Sequence, residues 1–276
     1  MIKEKKSFVI TKYSFVAVIL VFVVFPLYYM ITMSFRTQSS LYSKLSYLPV
    51  DIQSKNYIRA FHSTQFLRGL TNSLLIGVVT TLVALVFSVM AAYSLTILRY
   101  RGRDTLGRLM VIAFLTPGAL LFIPLAALAS TFHLSNSIKG LMAIYLSFTV
   151  PLGTYLLIGF FKNLVGELEE AARIDGATRL QALWFILLPL IAPGLVSVAI
   201  LTFTAAWNEL LYSLVINVSP DVRTLPVAIL NLQAADETPL GLIMAYSSLA
   251  AIPVMFLYFF GQRFIVEGLQ SGAVKG

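Results

Sequence analysis

The sequence predicts an all-α membrane protein of six transmembrane helices, and three observations carry that reading. Of 276 residues, 58% are hydrophobic and 12% are charged, and a soluble globule needs far more charge to cover its surface. The apolar residues fall into six runs, each long enough to cross a hydrocarbon layer of about 30 Å. The net charge of +8 comes from basic residues in short clusters between those runs, not from one basic patch of the kind that binds nucleic acid. There is no Cys, and only His62 and His133 could offer imidazole, so neither a disulfide framework nor a zinc cluster is expected.

Residues 1–12 form a basic N-terminus with Lys3, Lys5, Lys6 and Lys12. The apolar run over about 13–34 is longer than the roughly 7–15 residues of a signal-peptide core and lacks a small-residue cleavage site after it. It is expected to be an uncleaved first span. Residues 35–69 are mixed and polar, which suggests an aqueous loop with one short helix. The second span, about 70–97, carries Ala84, Ser88 and Ala92 at a spacing that lets another helix approach closely. A third span is expected over about 109–132 with Pro117 and Pro124 inside it, and a fourth over about 138–161 with Pro151. A fifth follows at about 183–207, then a polar loop at 218–239 and a sixth span at about 240–260. The spans form one membrane domain over 13–261, and 262–276 is a tail.

Charge sets the orientation. With the N-terminus inside, the inner segments hold Lys3, Lys5, Lys6, Lys12, Arg99, Arg101, Arg103, Arg108, Lys162, Arg173, Arg179, Arg263 and Lys275. The outer segments hold Arg36, Lys44, Lys55, Arg59, Arg68, Lys139 and Arg223. Cytoplasmic loops are the basic ones, so both termini are expected in the cytoplasm, although five cations in the first outer loop run against the trend.

The passage 162–189 then lies on the cytoplasmic side, and its core, EAARIDGATRLQALWFILLP from Glu170 to Pro189, has the marks of a helix, a tight turn and a helix. Glu170 to Arg173 favour helix, Gly176 suits the left-handed residue that ends one, and Thr178 with Gln181 forms a capping box that starts the next. The second helix is expected to run without interruption from Arg179 through Trp184 to Leu188, so a push on the turn is a push on a span. Pro189 and Pro193, just beyond, would let that helix tilt as a unit; simple kinking is the plainer reading of the other span prolines.

The spans hold almost no ionisable side chain, Glu209 lying just past Trp207. Ion-coupled carriers place such groups at membrane depth, and no nucleotide-binding G-x-x-x-x-G-K-[ST] loop occurs, so uphill transport would need energy from a partner. Nor is there a His, Cys or paired-carboxylate cluster for a membrane enzyme. Tyr145, Thr149, Tyr155, Thr202, Thr204, Trp207 and Asn208 can line a polar path suited to sugars. The competing reading makes them interfacial anchors or hydroxyls bonded to their own helix.

Glu170, Ala171, Ala172, Asp175 and Gly176, with Ile186, Leu188 and Pro189 at fixed spacing, resemble the EAA loop of binding-protein-dependent ABC importer permeases. FTAAWNELLYSL from Phe203 to Leu214 and the terminal GAVKG resemble the carbohydrate-uptake subfamily, the six-span member of maltose-type pairs. The resemblance implies a type I importer permease fold with a cytoplasmic coupling helix, in a bacterial or archaeal cell membrane. It implies a transport subunit, not an enzyme, paired with a homologous second permease, two cytoplasmic ABC ATPase subunits and an extracytoplasmic solute-binding protein. No cofactor is implied for this chain, ATP and Mg belonging to the ATPases. Glu170 would make polar contacts in the ATPase cleft, Ala171 and Ala172 would permit close approach, and Gly176 would make the turn. The loop bearing Asn217, Arg223, Asn231 and Gln233 would approach the binding protein. A sugar is the expected cargo, glycerol phosphate the runner-up, and an ion-coupled carrier or channel the remaining alternative.

Overall fold

A computed structural model describes residues 6–43, 47–48, 51–164, 166–234 and 238–273. Lys3, Lys5, Lys44 and Lys275, and the last three residues of the GAVKG tail, lie outside the described residues. The chain runs α1 (Lys6–Ser34), α2 (Gln38–Ser43), α3 (Lys55–His62), α4 (Thr64–Thr96), α5 (Arg103–Leu115), a 3₁₀ turn, α6 (Phe122–Thr131), α7 (Ile138–Leu164) and α8 (Gly166–Ile174). It continues through α9 (Arg179–Ala182), a π-turn (Leu183–Leu187), α10 (Leu188–Leu190), α11 (Ala192–Trp207), α12 (Leu211–Ile216), α13 (Leu225–Gln233) and α14 (Leu240–Ala273). No strand occurs among the described residues.

Among the described residues, four helical stretches are long and apolar enough to cross a membrane: Thr11–Ser34, Thr64–Thr96, Ile138–Lys162 and Leu240–Phe264. Two bent pairs bring the passes to six when each pair counts as one: Arg103–Leu115 with Gly118–Thr131, and Arg179–Leu190 with Ala192–Trp207. The fold class is the expected one; several boundaries are not. The third span is broken by 96°, because Pro117 has no N–H and holds Thr116 in extended backbone. The fifth is broken by 78°, so Leu183–Leu190 leaves the span and joins the arm before it. The described residues of 35–69 hold two short helices, and α4 begins early, at Thr64, where the Ser63 hydroxyl accepts from the Phe66 N–H at 3.3 Å. The loop 218–239 contains the apolar helix α13, with Leu225, Val227 and Ala228 buried. The last helix extends through Ala273, its apolar stretch being Leu240–Phe264.

The chain divides into two compact units, one of residues up to Leu67 with Ala228–Ile252, the other of Arg68–Val227 with Pro253 onward. In the first, the Phe66 and Tyr246 rings pack at a tilt of 54° with centroids 4.5 Å apart, and Asn56 donates to the carbonyls of Ser34 and Arg36 at 2.9 and 3.0 Å. The second has two apolar cores. One joins Val89, Tyr93, Leu157, Phe161, Leu187 and Val198; the other joins Ile76, Leu141, Tyr145, Ala206 and Tyr212. The small-residue stripe of α4 does what its spacing predicts. Ala84, Ser88 and Ala92 are fully buried, Ser88 donates to the Val150 carbonyl at 3.1 Å, and its hydroxyl stands where any side chain on Gly153 would go.

Candidate functional site

The knuckle between α8 and α9 is built by local rules. At its C-terminal end α8 closes with two crossed bonds, Gly176 N–H to Arg173 C=O at 3.2 Å and Ala177 N–H to Ala172 C=O at 3.0 Å. These are the paired bonds of a Schellman motif, which needs a left-handed residue between them, and Gly176 has φ +93°. Thr178 then starts α9: its hydroxyl accepts from the Gln181 N–H at 3.3 Å while the Gln181 side chain accepts from the Thr178 N–H at 2.8 Å. With both ends closed this way, the turn Asp175–Ala177 is fixed between a finished helix and a capped one.

The two faces of α8 differ. Glu170, Ala171, Asp175 and Gly176 are exposed, and Ile174 is 86% exposed, an unusual state for isoleucine beside charged neighbours. Glu169 and Ala172 are buried, at 4% and 6%. The close approach that Ala172 permits is therefore that of α8 to its own chain. Glu169 is the residue that sequence reasoning missed. Its Oε1 accepts from the Tyr93 hydroxyl of α4 at 3.4 Å and lies 3.9 Å from the Nε of both Arg173 and Arg179. One carboxylate thus ties α8 to α4 and to the start of α9. Arg173, four residues on, was a legible partner; Tyr93, 76 residues away, was not.

From the knuckle the helical path continues to Leu190, but not uniformly. Pro189 can offer no N–H to the preceding turn, and the backbone widens into the π-turn Leu183–Leu187 just before it. Leu183 and Leu187 anchor this arm in the core, whereas Trp184 and Phe185 are exposed at 59% and 77%. The 78° break follows at Ile191, between Pro189 and Pro193. Pro189 itself is exposed.

The path candidates are mostly engaged inside the protein. Tyr145 and Thr149 are fully buried and Trp207 nearly so. Thr149 and Thr204 bond to carbonyls of their own helices, at 2.8 and 2.7 Å, and Trp207 stacks on Phe203 with ring centroids 5.5 Å apart. Asn208 is exposed. Tyr145 donates to Glu209 at 2.6 Å, and the same carboxylate accepts from the N–H groups of Tyr212 and Ser213 at 2.9 and 3.2 Å, capping α12. The Tyr212 hydroxyl reaches the Gly118 carbonyl at 2.7 Å. Burial, and secondarily the Glu209 carboxylate, push the Tyr212 phenol above its ordinary value, so it remains that donor. In the loop, Asn217 is fully buried and donates to the Val222 carbonyl at 2.8 Å; Arg223 and Asn231 are half-buried and Gln233 is exposed.

A multi-pass helical membrane fold with a capped polar knuckle feeding a broken span defines a transport permease. Residues 84–270 match the binding-protein-dependent transport system inner membrane component family, and the chain belongs to that family. It is similar to the trehalose transport system permease protein SugB of Mycobacterium tuberculosis, with 38% identity over 83% of this chain and 84% of that one. The diacetylchitobiose uptake system permease protein DasC of Streptomyces coelicolor is 33% identical over 94% of each chain. Among solved structures, a bacterial ABC transporter involved in import of the acidic polysaccharide alginate shares the fold, with a TM-score of 0.83 and 23% identity over 95% of this chain and 99% of that one.

Proposed function

We propose that this chain is one of two membrane subunits of an ATP-driven sugar importer, and that the α8–α9 knuckle is where a cytoplasmic ATPase subunit docks. The observation that carries this is the knuckle's construction: closed by a Schellman motif and a capping box, it presents Glu170, Ala171, Ile174 and Asp175 outward and continues helically to the 78° break. Motion of a docked ATPase would swing the arm Arg179–Leu190 about Ile191. ATP and Mg would be held by the ATPase, and a homologous permease would complete the path. The relatives' trehalose and diacetylchitobiose favour a sugar. The positive-inside bias favours a cytoplasmic position for the knuckle and both termini. The loop 217–239 would approach the solute-binding protein.

The test is Gly176→Leu and Glu170→Lys. Nothing lies within 4 Å of a Cβ added at Gly176, and leucine there carries the backbone cost of a left-handed residue, about 1–2 kcal/mol. Both variants are expected to insert normally, lose copurifying ATPase and import sugar at least about tenfold more slowly, the effect of about 1.4 kcal/mol. Wild-type uptake in both would sink the docking role. The cargo is read from which sugar, with its binding protein, stimulates ATP hydrolysis in proteoliposomes.

A further inference from the structure

The five cations of the segment between the first two spans go against the charge bias of the rest of the chain, and none of them belongs to the docking knuckle. Three of them, Arg36, Lys55 and Arg59, line a single cavity of about 520 Å³ within the unit of residues up to Leu67 and Ala228–Ile252. Gln38, Gln53 and Asn56 add amide groups to its wall, and no carboxylate lines it among the described residues. The wall is held in place: Gln38 donates to the Thr238 carbonyl at 2.6 Å, the Gln53 N–H to the Phe35 carbonyl at 2.8 Å, and Asn56 spans Ser34 and Arg36. Arg36 is 2% exposed, its guanidinium fixed on the Ser40 carbonyl at 2.7 Å. Lys55 and Asn56 stand in the first turn of α3, whose N-terminal dipole adds to the positive field.

We infer that this cavity binds a phosphate-bearing anion, and that its source is the headgroup of an anionic phospholipid. Depth argues for the lipid. Arg36 stands two residues past the end of α1. The last turns of that helix carry Phe25 and Tyr29, whose rings lie 5.9 and 6.2 Å from Tyr47, with Tyr28 donating to the Tyr47 carbonyl. Such an aromatic group marks the headgroup layer. Toward the middle of α1, Val21 and Phe22 are 66% and 80% exposed, an apolar flank along which acyl chains can lie. The inference is independent of the cargo and of ATPase docking.

The complete transporter in phosphatidylcholine nanodiscs provides the test, with phosphatidylglycerol or inorganic phosphate added and amide exchange read over 36–40 and 53–59. Phosphatidylglycerol is expected to slow exchange there, and Lys55→Gln/Arg59→Gln, which alters only exposed side chains, to weaken that effect about tenfold or more, with about a tenfold loss per 1.4 kcal/mol and about 1 kcal/mol per cation. Slowing by phosphate in pure phosphatidylcholine keeps the anion site but overturns its lipid source. No slowing by either, or equal slowing in the variant, overturns the site. Asp236 and Glu237 lie outside the described residues; an effect of phosphatidylglycerol seen only in Asp236→Asn/Glu237→Gln overturns the inference.

Discussion

Glu169 and Glu209 each face a tyrosine from a neighbouring helix, yet they are held in opposite ways. Glu209 sits in short bonds, 2.6 Å from the Tyr145 hydroxyl and 2.9 and 3.2 Å from two backbone N–H groups. Glu169 sits in long ones, 3.4 Å from Tyr93 and 3.9 Å from two arginines that are themselves about half exposed. Backbone donors at a helix start cannot move without unwinding the helix, whereas arginine side chains can follow a carboxylate through several ångströms. One carboxylate fixes α12 to α7, with Tyr212 extending the tie to the bend after Pro117. The other fastens the arm, which in the proposed function has to move, by the looser means.

Glu209→Ala should do the most damage. It strips two capping bonds from α12 and leaves the buried Tyr145 hydroxyl without its acceptor, for a loss of about 2–4 kcal/mol, read as a lower unfolding midpoint in detergent. An unchanged midpoint would erase the contrast between the two carboxylates. Tyr145→Phe isolates the side-chain half of the same contact and should cost about 1–2 kcal/mol, since Glu209 keeps its backbone donors. Thr178→Ala moves to the arm. Losing an N-cap costs about 1 kcal/mol, so uptake and ATPase copurification should drop while the unfolding midpoint barely shifts, because the affected turn can fray by itself.

The comparison also shows what sequence alone could reveal. The knuckle was legible almost residue by residue, because Gly176, Thr178 and Gln181 act through backbone groups within five positions of themselves. The small stripe Ala84, Ser88, Ala92 was legible for a related reason: its periodicity states a packing face without naming the partner. Glu209 was visible as a charge at a span boundary, but Tyr145 lies 64 residues away, and nothing local says that the two meet. The broken spans were half legible. Pro117, Pro189 and Pro193 mark where helices can fail, but hydropathy runs straight through all three, so a window over 109–132 or 183–207 sees one span where the backbone turns by 96° or 78°. The loop 218–239 misled in the opposite sense, since its flanking Asn, Ser, Asp and Thr masked the nine-residue apolar helix Leu225–Gln233.

The smallest expected effect is the most discriminating. Glu169→Gln retains an acceptor for Tyr93 and removes the two arginine pairs, each worth well under about 1 kcal/mol at half-exposed guanidinium groups. The stability change should therefore be close to the error of the measurement, even though Glu169 is 4% exposed. What should change is salt dependence. Screening shortens from about 8 Å in physiological salt to about 3 Å at 1 M, so coupling of ATP hydrolysis to uptake in the parent protein should vary with salt if the pairs tune the arm. In Glu169→Gln that variation should flatten, while Tyr145→Phe, which alters a short neutral-donor bond, should keep the parent's salt profile. Identical salt profiles in all three proteins would mean that the pairs do not tune the arm, and that the knuckle is held by Tyr93 and the Leu183–Leu187 packing alone.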